Sequence, residues 1–271
     1  MNWLTKAAQR KAIVGMIHVR ALPGTPRADS PLESVIAAAA HEARLYAEAG
    51  LDALLIENMH DVPYLGGTVG PEIVAAMTAV GVAVRREVSL PLGVQILAGA
   101  NREALAAALA CGAEFIRAEN FTYAHVADEG LMPTADAGPL LRYRRQMAAE
   151  HVAVLADIKK KHASHAITAD VPLAEAARTA AFFGADGVVV TGVATGRPAA
   201  VDDVRAVRES VDVPLAIGSG LTPDNLPDFW PHADLFIVGS TFKCDGDWAR
   251  DLDPARVRAF MRVVSRLRAG S

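Results

Sequence analysis

Charged and polar side chains interrupt the most apolar stretches of this 271-residue sequence. Each interruption falls near the C-terminal end of a short run that otherwise suits a buried β-strand. A buried charge is costly unless it is paired, hydrogen-bonded or bound to a ligand, so a cluster of such residues predicts a site. The candidates are His18, Glu57, Asn58, Gln95, Arg117, Glu119, Asn120, Asp157, Lys159 and Thr191.

Asp157 and Lys159 flank Ile158 at the end of one such run. An aspartate beside a lysine can hold the amine charged, which predicts Lys159 as a proton donor or electrostatic clamp and Asp157 as a base or metal ligand. Schiff-base formation at Lys159 is the less favoured interpretation, because it needs a depressed pKa and the adjacent carboxylate opposes that. With Glu57 and Glu119, these two residues form the predicted catalytic set.

Two glycine-containing segments, Gly218-Ser219-Gly220 and Gly239-Ser240, follow later apolar runs. Glycines let backbone N–H groups approach an anion closely, and Thr222-Pro223 predicts a helix start whose positive dipole end points to the same place. We therefore expect these segments to bind phosphate, with Lys243 neutralising its charge. The other predicted ligand-binding residues are His18, Asn58, Gln95, Arg117 and Thr191.

The sequence contains possible metal-ligating residues but not the residue spacing that identifies a metal site. Glu57, Glu119 and Asp157 could supply oxygen ligands, but His162 and His165 lack the helix spacing of a zinc site. A divalent metal ion, and with it a metal-dependent hydrolase, is therefore an open alternative.

Eight strand-like runs would position these residues, at 12–19, 53–58, 92–97, 115–120, 152–158, 187–192, 214–220 and 235–241. Helical segments alternate with them, among them 32–49, 71–87, 102–110, 173–183 and 254–268. Alternation of this kind predicts parallel strands joined by right-handed crossovers.

The count of eight favours a closed barrel over a doubly wound sheet. Long polar segments follow the first, second, fourth and fifth predicted strands, as expected if the loops at the strand C-terminal ends carry the site. No Gly-x-Gly-x-x-Gly opens the first helix, which removes the main support for dinucleotide binding. The prediction is an α/β fold, a single (β/α)8 TIM-barrel domain over residues 1–271.

The composition is that of an ordinary globular protein, with 52% hydrophobic residues and a formal net charge of −4. Its 27 basic and 31 acidic residues are scattered, so no nucleic-acid partner is expected. No stretch reaches the roughly 20 apolar residues that cross a bilayer, so membrane insertion is not expected either. The two cysteines and the polar N-terminus fit a cytoplasmic protein, and homo-oligomer formation is left open.

Eight fragments in order resemble the BtpA/SgcQ family, over about residues 12–246. They are VGMIHVRALPGT at 14–25, LIEN at 55–58, FIR at 115–117, VADEGL at 126–131, LADIKKKH at 155–162, VTGVATG at 190–196, GSG at 218–220 and VGSTFK at 238–243.

The resemblance implies a TIM-barrel enzyme that binds phosphate at the Gly218 and Gly239 loops. Cyanobacterial members of the family are linked to the accumulation of photosystem I proteins. SgcQ-like members accompany sugar-uptake genes, which implies a phosphosugar-like substrate. Many members carry Arg-Asn-Asp after the third strand, whereas this chain has Leu97-Ala-Gly-Ala-Asn101 and departs from the pattern there.

The residues together predict an enzyme that acts on a small phosphorylated metabolite, a sugar or nucleoside derivative, by acid–base chemistry of isomerase, lyase or hydrolase type. His18 and Arg117 would orient this anionic ligand. Two alternatives stay open: a non-catalytic barrel that binds a ligand or assists assembly, and the metal-dependent hydrolase.

Overall fold

The computed structural model describes residues 3–192 and 195–270. Its strands are β1 (Ala12–His18), β2 (Ala53–Glu57), β3 (Leu92–Gln95), β4 (Phe115–Ala118), β5 (His125–Ala127), β6 (Gly130–Met132), β7 (Ala153–Ile158), β8 (Ala163–Ser164), β9 (Gly187–Val190), β10 (Leu215–Ile217) and β11 (Leu235–Val238). All of these except β5, β6 and β8 pair in parallel and close into one eight-stranded barrel. The predicted TIM barrel is confirmed.

The helices are α1 (Trp3–Arg10), α2 (Leu32–Glu48), α3 (Pro71–Glu87), α4 (Asn101–Cys111), α5 (Ala137–Gln146), α6 (Leu173–Phe182), α7 (Val201–Arg208), α8 (Leu226–Phe229) and α9 (Pro254–Ala269). The five predicted helical segments, now α2, α3, α4, α6 and α9, agree with these bounds to within one residue. Within the described ranges, no helix is both long and apolar enough to cross a membrane.

Alternate residues of each barrel strand face the barrel interior, and the others face the surrounding helices. On β1, Val14 and Met16 pack in the interior, whereas Ile13 and Ile17 pack against the outer layer. Helix α1 covers the N-terminal end of the interior, where Trp3 stacks on Phe115 with ring centroids 4.4 Å apart. The interior is therefore packed solid below its C-terminal end, as in other barrels of this class.

The same alternation brings polar side chains to the C-terminal end of the barrel. His18 continues the inward series of Val14 and Met16, and Glu57 follows the inward Leu55. His18 and Glu57 are direct neighbours in the β1–β2 ladder. Arg117 and Asp157 follow the inward-facing Phe115 and Leu155 in the same way, which lines these charges up at one end.

The connections at this end are long after β1, β2, β4 and β7, as predicted. The connections after β4 and β7 also pair with each other, because β5, β6 and β8 form a small antiparallel sheet that was not predicted. One predicted helix start is wrong. Pro223 lies in a turn in which the Thr222 N–H donates to Asn225 Oδ1 at 2.8 Å, and the short α8 begins only at Leu226.

Candidate functional site

Two cavities open at the C-terminal end of the barrel. They share walls formed by Glu57, Met59, Arg117, Lys161 and Thr195 and are therefore adjacent parts of one candidate site. We call one side the glycine end, which is lined by Gly218, Gly220, Gly239 and Ser240. The other side, the acidic end, is lined by Gln95, Glu119, Glu129 and Lys160.

Arg117 and Asp157 form the most deeply buried ion pair of the site. The guanidinium donates through Nε and Nη2 to the two carboxylate oxygens, at 2.7 and 2.8 Å. The burial of Arg117 opposes its charge, but Asp157, and then Glu57 and Glu119, together raise the pKa of the guanidinium above its ordinary value. Because the two charges satisfy each other, Arg117 is held rigidly against the cavity.

Lys160 sits between two carboxylates at the acidic end. Its Nζ donates to Glu119 Oε2 at 3.1 Å and lies 3.5 Å from Glu129 Oε2. Although burial opposes the ammonium charge, Glu119 and then Glu129 raise the pKa of Lys160 above its ordinary value. The Lys160 ammonium is therefore a fixed positive charge. It is held by Glu119, one of the predicted site residues.

Glu57 and Lys161 are the two charged groups of the cavity wall that have no direct partner. Among the described residues, neither side chain has a hydrogen bond or an ion pair within 4.0 Å. Burial raises the pKa of the Glu57 carboxyl, and Arg117 and Lys161 only partly counter this. Burial, and then the charge of Arg117, lower the pKa of the Lys161 ammonium. Both shifts favour the neutral forms, so Glu57 can donate a proton and Lys161 can accept one.

His18 is a neutral imidazole at the glycine end. Its Nδ1 lies 2.9 Å from the carbonyl oxygen of Trp248, which can only accept, so Nδ1 carries the proton. Burial, and then the charge of Lys243, hold the pKa of His18 well below its ordinary value. Nε2 is consequently an acceptor, and it faces Gly239, where a Cβ atom would lie only 2.8 Å away.

The glycine end keeps its backbone accessible for structural reasons. The backbone N–H groups of Gly220 and Ser240 donate no hydrogen bond to any described residue. Gly220 has a φ of +68°, and a Cβ there would lie 2.1 Å from Pro198 N, so only glycine fits. Ser219 holds the neighbouring loop, because its hydroxyl accepts from the Gly192 N–H and donates to the Arg197 carbonyl.

Other predicted site residues take different positions. Gln95 lies in the acidic end, and its Oε1 is buried with no partner among the described residues. Asn58 instead holds the loops, as its Oδ1 accepts from the Leu97 N–H and its Nδ2 donates to Asp61. Thr191 lies behind the glycine end against Gly218, outside the cavity walls, and no residue in the described ranges bonds to its buried Oγ1.

Two predicted lysines lie outside the cavity. Lys159 does not pair with Asp157, whose carboxylate is taken by Arg117, and its Nζ instead donates to the Thr168 carbonyl at 3.0 Å. Lys243 is 1% exposed and donates to both carboxylate oxygens of Glu42, at 2.8 and 2.7 Å. The expected Asp157–Lys159 pairing is therefore wrong in this structure, and Lys243, whose amine donates to Glu42, does not line the cavity.

Sequence reasoning missed Lys161, Lys160 and Glu129. The run of three lysines after Ile158 was visible, but the backbone turns within it: φ is +46° at Lys159 and +55° at His162. Such values are uncommon for residues other than glycine, so an extended strand alternation does not predict which of the three lysines lines the cavity. Glu129 lies on the β5–β6 hairpin, whose pairing no local pattern indicated.

The possible metal donors do not converge on one point. Among the residues that the structure describes, no group of three His, Cys, Asp or Glu side chains is placed to hold a metal ion. His162 contacts Thr195 at 2.9 Å instead. Of the fragment VTGVATG at 190–196, Val193 and Ala194 lie outside the described residues.

The barrel is similar to several solved structures in fold alone. Thiamine phosphate pyrophosphorylase from Pyrococcus furiosus matches with a TM-score of 0.58 and 16% identity, over 96% of this chain and 98% of that one. N-(5'-phosphoribosyl)anthranilate isomerase from the same organism matches with a TM-score of 0.55 and 14% identity, over 94% of this chain and 99% of that one.

Sequence comparison is more specific. A mitochondrial protein of Caenorhabditis elegans is 46% identical over 96% of this chain and 95% of its own length. The photosystem I biogenesis protein BtpA of Synechocystis is 35% identical over 93% of this chain and 88% of its own length. The profile of the BtpA family matches residues 9–266. The chain therefore belongs to the BtpA family.

Proposed function

We propose that this protein is an enzyme that acts on a small phosphorylated metabolite, a sugar or nucleoside derivative, by acid–base chemistry. The observation that carries the proposal is that the two cavities adjoin. One side offers accessible backbone at Gly220, Gly239 and Ser240, and the shared wall carries Glu57 and Lys161, which have no partner among the described residues. A phosphate at the glycine end would hold the rest of the substrate against these two groups.

Three features support a phosphate at the glycine end. The backbone N–H groups of Gly220 and Ser240 have no partner among the described residues and can donate to oxygen. Arg117 lines the same cavity and supplies positive charge. The names of both barrel enzymes with similar folds refer to phosphate compounds, and barrels commonly bind phosphate after strands seven and eight.

The acid–base roles follow from the pKa directions. A protonated Glu57 would donate to a substrate oxygen, and a neutral Lys161 would take a proton or attack an electrophilic carbon. Asp157 and Glu119 would act through the cations that they hold, because their carboxylates are occupied by Arg117 and Lys160. The unpartnered Gln95 Oε1 would accept a hydrogen bond from a substrate hydroxyl or amine.

Thermal unfolding in the presence of ligands tests the proposal. The panel contains inorganic phosphate, phosphosugars and nucleotides, with the corresponding unphosphorylated sugars and nucleosides as controls. A ligand at 100 times its Kd stabilises the folded state by about 2.7 kcal/mol, so we expect a clear rise in Tm with one phosphorylated class. No rise with any phosphate compound would contradict the proposal. Turnover is then assayed with the class that binds.

A non-catalytic role in assembly is the second candidate. The Synechocystis relative supports it, since that protein is named for photosystem I biogenesis. Ligand binding without turnover, together with a stable protein partner, would favour this role over the enzyme.

A further inference from the structure

We propose that Lys161 is a nucleophilic amine that forms an imine with an aldehyde or ketone carbon of the substrate. This inference rests on the proposed function and narrows it, because the phosphorylated metabolite must then carry a carbonyl group. It differs from simple acid–base use of Lys161 in that a covalent intermediate forms.

The sequence has six lysines, and in the part of the chain that the structure describes only one of them combines the position and the free amine that the proposal requires. Lys6 is exposed on α1, remote from the cavity lining. Lys11, Lys159, Lys160 and Lys243 each donate to a carbonyl or carboxylate oxygen. Within the described ranges, Lys161 alone combines a place in the cavity wall with an amine that has no hydrogen-bond partner.

The surroundings of Lys161 suit nucleophilic attack. An amine attacks a carbonyl only when it is unprotonated, and burial together with Arg117 lowers the pKa of Lys161. Its neighbours Arg117 and Lys160 cannot compete for the carbonyl, since both are held by carboxylates. Lys161 lines both cavities, one of which contains the proposed phosphate-binding end.

Glu57 donates the proton that imine formation requires and then recovers it. The Nζ lone pair attacks the carbonyl carbon, and a proton moves from the attacking nitrogen to the carbonyl oxygen to give a neutral carbinolamine. Glu57 in its protonated form donates a proton to the carbinolamine hydroxyl, which leaves as water, and the nitrogen lone pair forms the C=N bond. The nitrogen then returns a proton to Glu57, so that the amine and the carbonyl compound give an imine and one water.

Borohydride trapping with simple carbonyl compounds tests this chemistry directly. The probes are glyceraldehyde 3-phosphate and dihydroxyacetone phosphate, with unphosphorylated glyceraldehyde and dihydroxyacetone as controls. After reduction, intact mass reports adducts and peptide mapping locates them. We expect one adduct per chain at Lys161 with a phosphorylated probe, and suppression of that adduct by inorganic phosphate.

Two variants sharpen the result. Lys161→Arg should abolish the adduct, because a guanidinium does not form the imine, and thermal unfolding checks that the variant folds. Lys159→Met is the matched control, since Lys159 is two residues away but outside the cavity, and it should keep the adduct. Mapping of the wild-type protein decides the question even if Lys161→Arg fails to fold.

The outcomes separate the two proposals. Phosphate binding without an adduct, or with adducts spread over Lys6 and the other lysines, would overturn the imine and leave the proposed function standing. An adduct at Lys161 that forms equally with unphosphorylated probes, together with no binding of phosphate, would support the amine role and overturn the phosphate site.

Discussion

Arg117 on β4 and Asp157 on β7 face each other across neighbouring strands and are joined by two hydrogen bonds of 2.7 and 2.8 Å. Their side chains are 2% and 1% exposed, so each charge depends on the other. Gly218 makes room for this pair, because a Cβ there would lie 3.1 Å from Arg117 Nη2. The Arg117–Asp157 ion pair thus fixes the inner end of the cavity, and glycine at position 218 leaves the space that the pair needs.

Asp157→Asn should destabilise the fold, because it leaves the Arg117 guanidinium buried without a counter-charge. Breaking such a buried pair typically costs about 3–5 kcal/mol. Urea unfolding of the variant at pH 7 measures this loss. The double variant Arg117→Met with Asp157→Leu removes both charges and should recover much of the stability. A double variant that is less stable than Asp157→Asn would contradict this account.

The barrel could be predicted from the sequence because its strands are buried on both faces and read as short apolar runs. The same runs also identify the inward-facing polar residues, because a charged residue at Glu57, Arg117 or Asp157 interrupts the apolar pattern. These positions are fixed by strand alternation, which a sequence displays directly.

Contacts between distant segments could not be predicted in this way. Lys243 pairs with Glu42 across 201 positions of sequence, and no local pattern indicates that contact. The choice of Lys161 over Lys159 depends on a backbone turn with a positive φ at Lys159. The sequence therefore predicts where the cavity lies and which strand residues line it. It does not predict which loop residues line it.

Gly239→Ala should weaken phosphate binding, because the added Cβ would lie 2.8 Å from His18 Nε2. His18 must then move from its bond with the Trp248 carbonyl, so we expect phosphate affinity to fall by about tenfold, or roughly 1.4 kcal/mol. Isothermal titration with inorganic phosphate measures the change.

Gly66→Ala is the matched control for this substitution. Its Cβ would meet nothing closer than Met132 Sδ at 3.4 Å, which is ordinary contact. Equal affinities in the two alanine variants would show that the Gly239 contact with His18 has no part in binding.

Stability should fall below pH 6.5 because His125 resists protonation in the folded state. Burial, and then the positive charge of Lys160, lower the pKa of His125 to about 4 from an ordinary 6.5. Between these values the unfolded chain binds a proton that the folded chain does not, so acidification favours unfolding. From pH 7 to pH 5 this single group should cost about 2 kcal/mol.

Urea unfolding of His125→Gln at the two pH values isolates this contribution. The variant should lose less stability on acidification than the wild type, by about that amount. His151→Gln, which alters an exposed histidine, should behave like the wild type. Identical pH dependence in all three proteins would exclude His125 as the source.

Glu57→Gln should improve stability while it impairs chemistry. Burial raises the pKa of Glu57 above 4.5, so the folded state holds its proton more tightly than the unfolded chain does. The wild type therefore loses stability as the pH rises through this range, whereas the amide has no proton to lose. The advantage of Glu57→Gln in free energy of unfolding should grow from pH 4 to pH 8.

The same variant removes the proposed proton donor to the carbinolamine. Borohydride trapping at Lys161 should consequently slow in Glu57→Gln even though the fold is more stable, which a purely structural role for Glu57 does not predict. Glu33→Gln, which alters an exposed carboxylate on α2, should change neither the pH dependence of stability nor the trapping rate. A Glu57→Gln variant with higher stability and an unchanged trapping rate would place the proton donor elsewhere, whereas loss of both would mean that the Glu57 carboxylate stabilises the cavity in its charged form.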